Sequence, residues 1–128
     1  MKKQKLSLSF IDLFCGAGGL SRGLEMAGHK CLLGVDFDKH AINTFAHNHK
    51  NAEAYCGDIC DLKDTKLKNI LKNQRVDMVV GGPPCQGFST VGLGNPNDTR
   101  NKLFREFCRL VKTLEPSYVV IENVTGIL

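Results

Sequence analysis

Leu6-Ser7-Leu8-Ser9-Phe10-Ile11-Asp12-Leu13-Phe14-Cys15-Gly16-Ala17-Gly18-Gly19 is the stretch on which the reading of the fold turns. A mainly apolar segment, Leu6–Phe14, runs into a cluster of glycines. Beyond them, Leu20 to Ala27 places Leu20, Leu24 and Ala27 on one helical face, and Gly28 is a stop signal. The order is therefore strand, tight turn, helix. The glycines let a ligand approach the backbone closely, and the helix that follows offers free N–H groups at its start.

The same alternation continues outward. Cys31–Val35 is an apolar run that reads as a buried second strand. Lys39 to Asn48 carries Ala41, Ile42, Phe45 and Ala46 at helical spacing. Glu53–Cys56 is a short third strand, and Leu67, Ile70 and Leu71 mark a third helix. Val76–Val80 is a fourth strand, stopped by Gly81-Gly82-Pro83-Pro84. Apolar residues at 103, 104, 107, 110, 111 and 114 predict a helix over Leu103–Leu114, and Tyr118–Ile121 is a fifth strand after Pro116. This alternation predicts the α/β class with a doubly wound, mostly parallel sheet and helices on both faces. Such a sheet binds its ligand at the carboxyl ends of the strands, where the candidate functional residues fall. Gln86 to Lys102, rich in Gly, Asn and Pro, reads as a long loop of the lid or binding type.

Composition agrees with one globular domain. The chain has 128 residues, of which 42% are hydrophobic and 23% charged, which excludes disordered, collagen-like and coiled-coil classes. No apolar run approaches the roughly 18 residues of a membrane span. The basic lead-in Lys2-Lys3-Gln4-Lys5 precedes a segment broken by Ser7, Ser9 and Asp12, so no secretion signal is read. The six cysteines are then expected to be reduced thiols in a cytoplasmic compartment, or a nuclear one in a eukaryote. The net charge of +4 permits an anionic partner without requiring one.

Chemistry concentrates in three places. Asp36 stands twenty residues beyond Gly16 at the end of the second strand, where a carboxylate can accept from two ribose hydroxyls. Ser21 occupies the third glycine position of the dinucleotide fingerprint, which favours a nucleoside-containing ligand over a pyrophosphate. Phe37 is placed to stack on a base, and Asp58 to accept from an exocyclic amine. The second place is Pro83-Pro84-Cys85, where two prolines stiffen the exit from the fourth strand and present Cys85. The third is Glu122, directly after Val119-Val120-Ile121. If the fourth and fifth strands are neighbours, Cys85 and Glu122 flank one crevice. Cys31 and Cys108 are read as core residues and Cys15 as packing of the glycine turn. His29, His40, His47 and His49 are read as surface or helix residues. No metal is expected: Cys56 and Cys60 have no second pair, and His47-x-His49 is not a ligand spacing.

Together these segments resemble the cytosine-5 DNA methyltransferases. Asp12-Leu13-Phe14-Cys15-Gly16-Ala17-Gly18-Gly19 resembles the family's first motif, Gly82-Pro83-Pro84-Cys85-Gln86-Gly87-Phe88-Ser89 its nucleophile motif, and Glu122-Asn123-Val124 its glutamate motif. Asp98, Arg100, Leu103 and Phe104 match the segment after the catalytic loop. The resemblance implies a Rossmann-like fold dependent on S-adenosyl-L-methionine. It implies a cofactor pocket lined by Phe14, Gly16, Gly18, Gly19, Asp36, Phe37, Asp58, Ile59, Pro84 and Leu103. It also implies a Cys85 nucleophile, Glu122 as the acid, which can serve N3 if partly desolvated, and double-stranded DNA with a flipped cytosine as partner. Asp36 stands where the family commonly has Glu, and Phe37 where Trp is frequent. The family's arginine motif, target-recognition domain and final segment are absent. The chain is thus expected to be a truncated form, residues 1–128 being the N-terminal part of the catalytic domain, inactive without the remainder of the enzyme or a complementary chain. A tRNA-methylating relative carries the same motifs, and a nicotinamide-dependent oxidoreductase is the alternative of similar fold.

Overall fold

Strands β1 (Ser9–Leu13), β2 (Lys30–Asp36), β3 (Glu53–Cys56), β4 (Met78–Gly81) and β5 (Tyr118–Ile121) form one parallel sheet in the order β3-β2-β1-β4-β5. The computed structural model describes residues 6–84 and 99–122. Helices α1 (Gly19–Met26), α2 (Lys39–Asn48), α3 (Asp64–Ile70) and α4 (Thr99–Leu114) connect the strands, with a 3-10 turn at Ile59–Asp61. The order reverses between β1 and β4, as a doubly wound sheet requires.

The alternation of side chains along β1 and β4 sorts the core into two layers. Phe10, Met78 and Val80 join Cys31, Ile42 and Phe45 beneath α1 and α2. Ile11, Leu13 and Val79 join Leu33, Val35, Leu67, Phe107 and Leu110 beneath α3 and α4. Gly34 is the exception that allows α2 to come close: a Cβ there would lie 2.7 Å from Phe45 Cε2. Asp38 starts α2 by accepting from the N–H groups of His40 at 2.8 Å and Ala41 at 3.2 Å, which satisfies donors the first turn leaves open.

Several expectations need correction. The first strand is shorter than Leu6–Phe14, because Phe14 takes a left-handed φ of 60° that ends it. The fourth strand is Met78–Gly81 rather than Val76–Val80. The last helix begins at Thr99, not Leu103: its first turn is polar and carries no apolar period. Cys108 is exposed rather than in the core. At 100° per residue it lies about 130° from the midpoint between the buried Phe107 and Leu110. His49 is buried, stacked on Phe45 with ring centroids 4.4 Å apart and paired through Nδ1 with Glu25 of α1.

Asp12 sits in the middle of β1 at 1% exposure, and Ser21 Oγ donates to its Oδ2 at 2.6 Å. The residue that breaks the dinucleotide fingerprint is therefore the tie between α1 and the central strand. Burial raises the Asp12 pKa from 3.8 to about 6, opposed by the Ser21 hydrogen bond. Protonation thus favours the folded state. The contribution is complete below pH 3.8, falls as pH rises and is gone above about 6, a span worth about 3 kcal/mol. Asp12→Asn, which keeps an acceptor for Ser21, is expected to remove this slope. Urea denaturation from pH 3.5 to 7 checks it: the stability difference between variant and parent should change by about 3 kcal/mol across the range, and a constant difference would contradict the assignment.

Candidate functional site

The parallel register delivers the carboxyl ends of all five strands to one rim, and each end turns in its own way. After β1, the Cys15 N–H donates to Val35 O at 2.9 Å, and Gly18 N–H closes the turn on Cys15 O at 3.0 Å. At the end of β2, Asp36 Oδ2 accepts from Gly16 N–H and Oδ1 from Asp38 N–H, both at 2.8 Å. Each oxygen keeps a second lone pair for a ligand hydroxyl. Phe37 follows with 78% of its surface exposed, so its ring face is free. At the end of β3, Gly57 N–H donates to Asp36 O at 3.0 Å, and Asp58 Oδ1 accepts from Cys60 N–H at 2.8 Å. That backbone hydrogen bond holds the Asp58 carboxyl below its ordinary range and keeps it ionised.

A cavity of about 550 Å³ opens between these ends. Phe14, Ile59, Pro84 and Leu103 give it apolar walls, and Asp36, Phe37 and Asp58 form its polar and aromatic rim. Seven of the ten expected cofactor residues are thus brought together, from the ends of β1, β2 and β4, the 3-10 turn and α4. Gly16 contributes through its bond to Asp36. Gly18 and Gly19 do not line this cavity; they border a separate depression of about 540 Å³ with Arg22, Asn48 and His49. Val35, Gly57 and Gly82 complete the lining and were missed by the sequence reading, although each is a direct neighbour in the chain, or next but one, of a residue that was named. Size does not select this cavity. Another of about 580 Å³ lies at the amino end of β2 against Lys30 and Cys31, where Glu25 is paired with His49 and His29 Nδ1 accepts from Leu8 N–H at 3.1 Å.

β4 and β5 are neighbours, and Glu122 N–H donates to Gly81 O at 2.9 Å. A Cβ built on Gly82 would lie 3.6 Å from Glu122 Oε2, so the carboxylate stands beside the cavity wall. Glu122 is exposed, and β5 lies at the end of the sheet formed by the described residues. Cys85, Ser89 and most of the expected lid lie outside the described residues; Arg100 falls in the first turn of α4. Among the described residues no cluster of three or more His, Cys, Asp or Glu could hold a metal ion, and no helix is long and apolar enough to cross a membrane.

A doubly wound sheet with a mixed apolar and carboxylate-lined cavity at its switch point is the Rossmann-like fold of S-adenosylmethionine-dependent methyltransferases. A prophage-encoded E. coli protein named as a DNA modification methyltransferase matches it with a TM-score of 0.82 and 43% identity, over 94% of this chain and 33% of the other. The S. pombe Dnmt2 methyltransferase shares the fold at a TM-score of 0.69 and 22% identity, over 94% of this chain and 36% of the other. The chain belongs to the C-5 cytosine-specific DNA methylase family, whose model matches residues 8–128. Type II methyltransferase M1.HphI of Haemophilus parahaemolyticus is 43% identical over 122 residues, 93% of this chain and 33% of that protein. Type II methyltransferase M.DdeI of Desulfomicrobium norvegicum is 43% identical over 121 residues, 94% and 29% respectively. The chain therefore spans about a third of the length of the curated relatives it matches.

The described thiols divide by burial. Burial pushes Cys31 up to about 12 and Cys15 higher still, so neither forms a thiolate near neutral pH. Cys56 and Cys108 are exposed. Alkylation of the native chain at pH 8, mapped by mass spectrometry, is expected to modify Cys56 and Cys108 and to reach Cys15 and Cys31 only after denaturation. Early labelling of Cys15 would show that the glycine turn opens.

Proposed function

We propose that this chain is the N-terminal part of a catalytic domain that methylates C5 of a flipped-out cytosine in double-stranded DNA. The target-recognition region and later motifs would lie elsewhere in the polypeptide or on a complementary chain. On this reading the 128 residues alone turn over little or no substrate, and the enzyme is a cytoplasmic one of the restriction–modification type. The observation that carries the proposal is the convergence of Phe14, Asp36, Phe37, Asp58, Ile59, Pro84 and Leu103 on one cavity of about 550 Å³. The residue following Pro84 is Cys85, and Glu122 stands on the neighbouring strand end.

The cavity suits an adenosine. Asp36 keeps acceptor capacity for two ribose hydroxyls, the free face of Phe37 can stack on the base, and ionised Asp58 can accept from its amine. The apolar walls would hold the rest of S-adenosylmethionine, which when bound supplies an electrophilic sulfonium methyl group. Gly16 acts by orienting Asp36, and Gly18 and Gly19 by shaping the turn. Cytosine C5 is a poor nucleophile. The Cys85 thiolate forms a bond to C6, and the electron pair of the C5–C6 double bond moves through the ring toward N3. Glu122 donates a proton or hydrogen bond to N3, which stabilises that charge and leaves C5 enamine-like. Once the enamine pair of C5 had formed the new C–C bond to the methyl group, a base would take the C5 proton, the C–H pair would restore the C5–C6 double bond, Cys85 would leave as thiolate, and N3 would return its proton to Glu122. Extrusion of the cytosine from the duplex precedes these steps. Lys and Arg side chains would contact phosphates.

Titration calorimetry on the chain is expected to show S-adenosylmethionine binding and no comparable heat with NAD; tighter binding of NAD would overturn the cofactor reading. In the complete enzyme, Cys85→Ser is expected to abolish the covalent adduct with DNA containing 5-fluorocytosine. An adduct that survives the substitution would exclude Cys85 as the nucleophile.

A further inference from the structure

We propose that Arg109 is a positioning residue for the cavity: its guanidinium clamps the turn that carries Asp58 and Ile59 onto α4 and so fixes the spacing of two walls. The proposal rests on the cofactor reading above. Arg109 does not line the cavity. From α4 its Nη2 donates to Leu62 O at 2.9 Å and to Ile59 O at 3.3 Å. Its Nη1 meets Asp64 Oδ1 of α3 at 2.7 Å, and its Nε pairs with Glu106 one turn earlier. One side chain thus joins the 3-10 turn, α3 and α4.

The turn needs such a clamp. Three residues of 3-10 helix have poor hydrogen-bond geometry and little cooperativity of their own. Its internal bonds are Asp61 N–H to Asp58 O at 2.9 Å, Leu62 N–H to Ile59 O at 3.1 Å and the Asp58 side chain on Cys60 N–H. At its end Lys63 donates to Cys60 O through Nζ and to Asp61 O through its N–H, both at 3.0 Å, while Arg109 donates to Leu62 O and adds a second bond to Ile59 O beside that from Leu62 N–H. Ile59, held by its carbonyl, lines the cavity, and Leu103, six residues before Arg109 on the same helix, lines it too. Turn and helix therefore cannot shift independently. The planar fork of arginine is essential, because the single ammonium of lysine cannot reach two carbonyls and two carboxylates at once.

Arg109→Lys and Arg109→Met in the full chain test this, with S-adenosylmethionine affinity by calorimetry and residue-resolved amide hydrogen exchange as readouts. Both variants are expected to bind roughly tenfold more weakly. The amides of Cys60 to Lys63 should lose protection while those of Phe10 to Leu13 in β1 keep theirs. Unchanged affinity, or unchanged protection at 60–63, overturns the proposal, as does loss of protection in β1 to the same degree, which marks a merely structural role. If the Arg109 variants do not fold, Asp64→Asn decides: it frees Nη1 alone and should move both readouts the same way by less, and no movement overturns the proposal. Failure of the unsubstituted chain to bind S-adenosylmethionine is a failure of the cofactor reading, and the exchange at 60–63 then still decides whether Arg109 holds the turn.

Discussion

The hydrogen bond from Gly16 N–H to the Asp36 carboxylate, at 2.8 Å, holds the site together. The ladder between β1 and β2 gives its last rung at Cys15 N–H to Val35 O. Beyond that rung a parallel sheet offers nothing to keep two strand ends at a fixed distance while a ligand enters between them. A charged acceptor on a backbone donor is a strong bond for its size. Asp36 extends the tie further. Its second oxygen holds Asp38, whose own side chain starts α2, and its carbonyl accepts from Gly57 after β3. One residue therefore sets the relative position of the β1 turn, the start of α2 and the end of β3.

The glycine turn faces two ways. On the cavity side Gly16 offers its N–H. On the far side Gly18, at a φ of +97°, starts α1 and leaves room for α2: a Cβ there would lie 2.8 Å from Phe45 Cδ2 and 2.9 Å from His49 Cδ2. The tip of the Phe45 ring in turn abuts Gly34, and His49 stacks on Phe45 and pairs with Glu25. Gly18 thus belongs to the packing of helices on the sheet, and its place in the motif follows from steric need as much as from ligand approach. The separation of Gly18 and Gly19 from the cavity is the geometric sign of this.

The sheet was legible because its strands are short apolar runs punctuated by Gly and Pro, and Glu53–Cys56 and Tyr118–Ile121 fall where the pattern puts them. Asp36, Phe37 and Asp58 were legible as strand-end residues, since the doubly wound order sends every such end to one rim. Features that depend on distant partners were not legible. Ser21 reads as a broken motif until Asp12 is seen beside it. His49 reads as a helix-end polar residue until Glu25 and Phe45 surround it. Arg109 reads as one of several basic residues on α4 until the carbonyls of Ile59 and Leu62 appear within its reach. In each case the partner lies on another element, and periodicity within one element carries no trace of it.

The exit of β4 shows how two adjacent glycines come to have different duties. At Gly81 an added Cβ would run into the carbonyl of Leu13 and lie 3.0 Å from Phe107 Cε2. That position must stay bare for β1 and α4 to close on the strand, since backbone and a fully buried ring have no room to give. At Gly82 the nearest atoms belong to Glu122, at 3.5 to 3.8 Å, which is ordinary contact. Among the described residues nothing crowds Gly82, and its neighbour there is the Glu122 side chain over the wall. The pairing of β4 with β5 fixes the backbone of Glu122 through its bond to Gly81, and its side chain lies beside the bare surface of Gly82. On the function proposed above, a proton donor at Glu122 would draw on this anchored backbone.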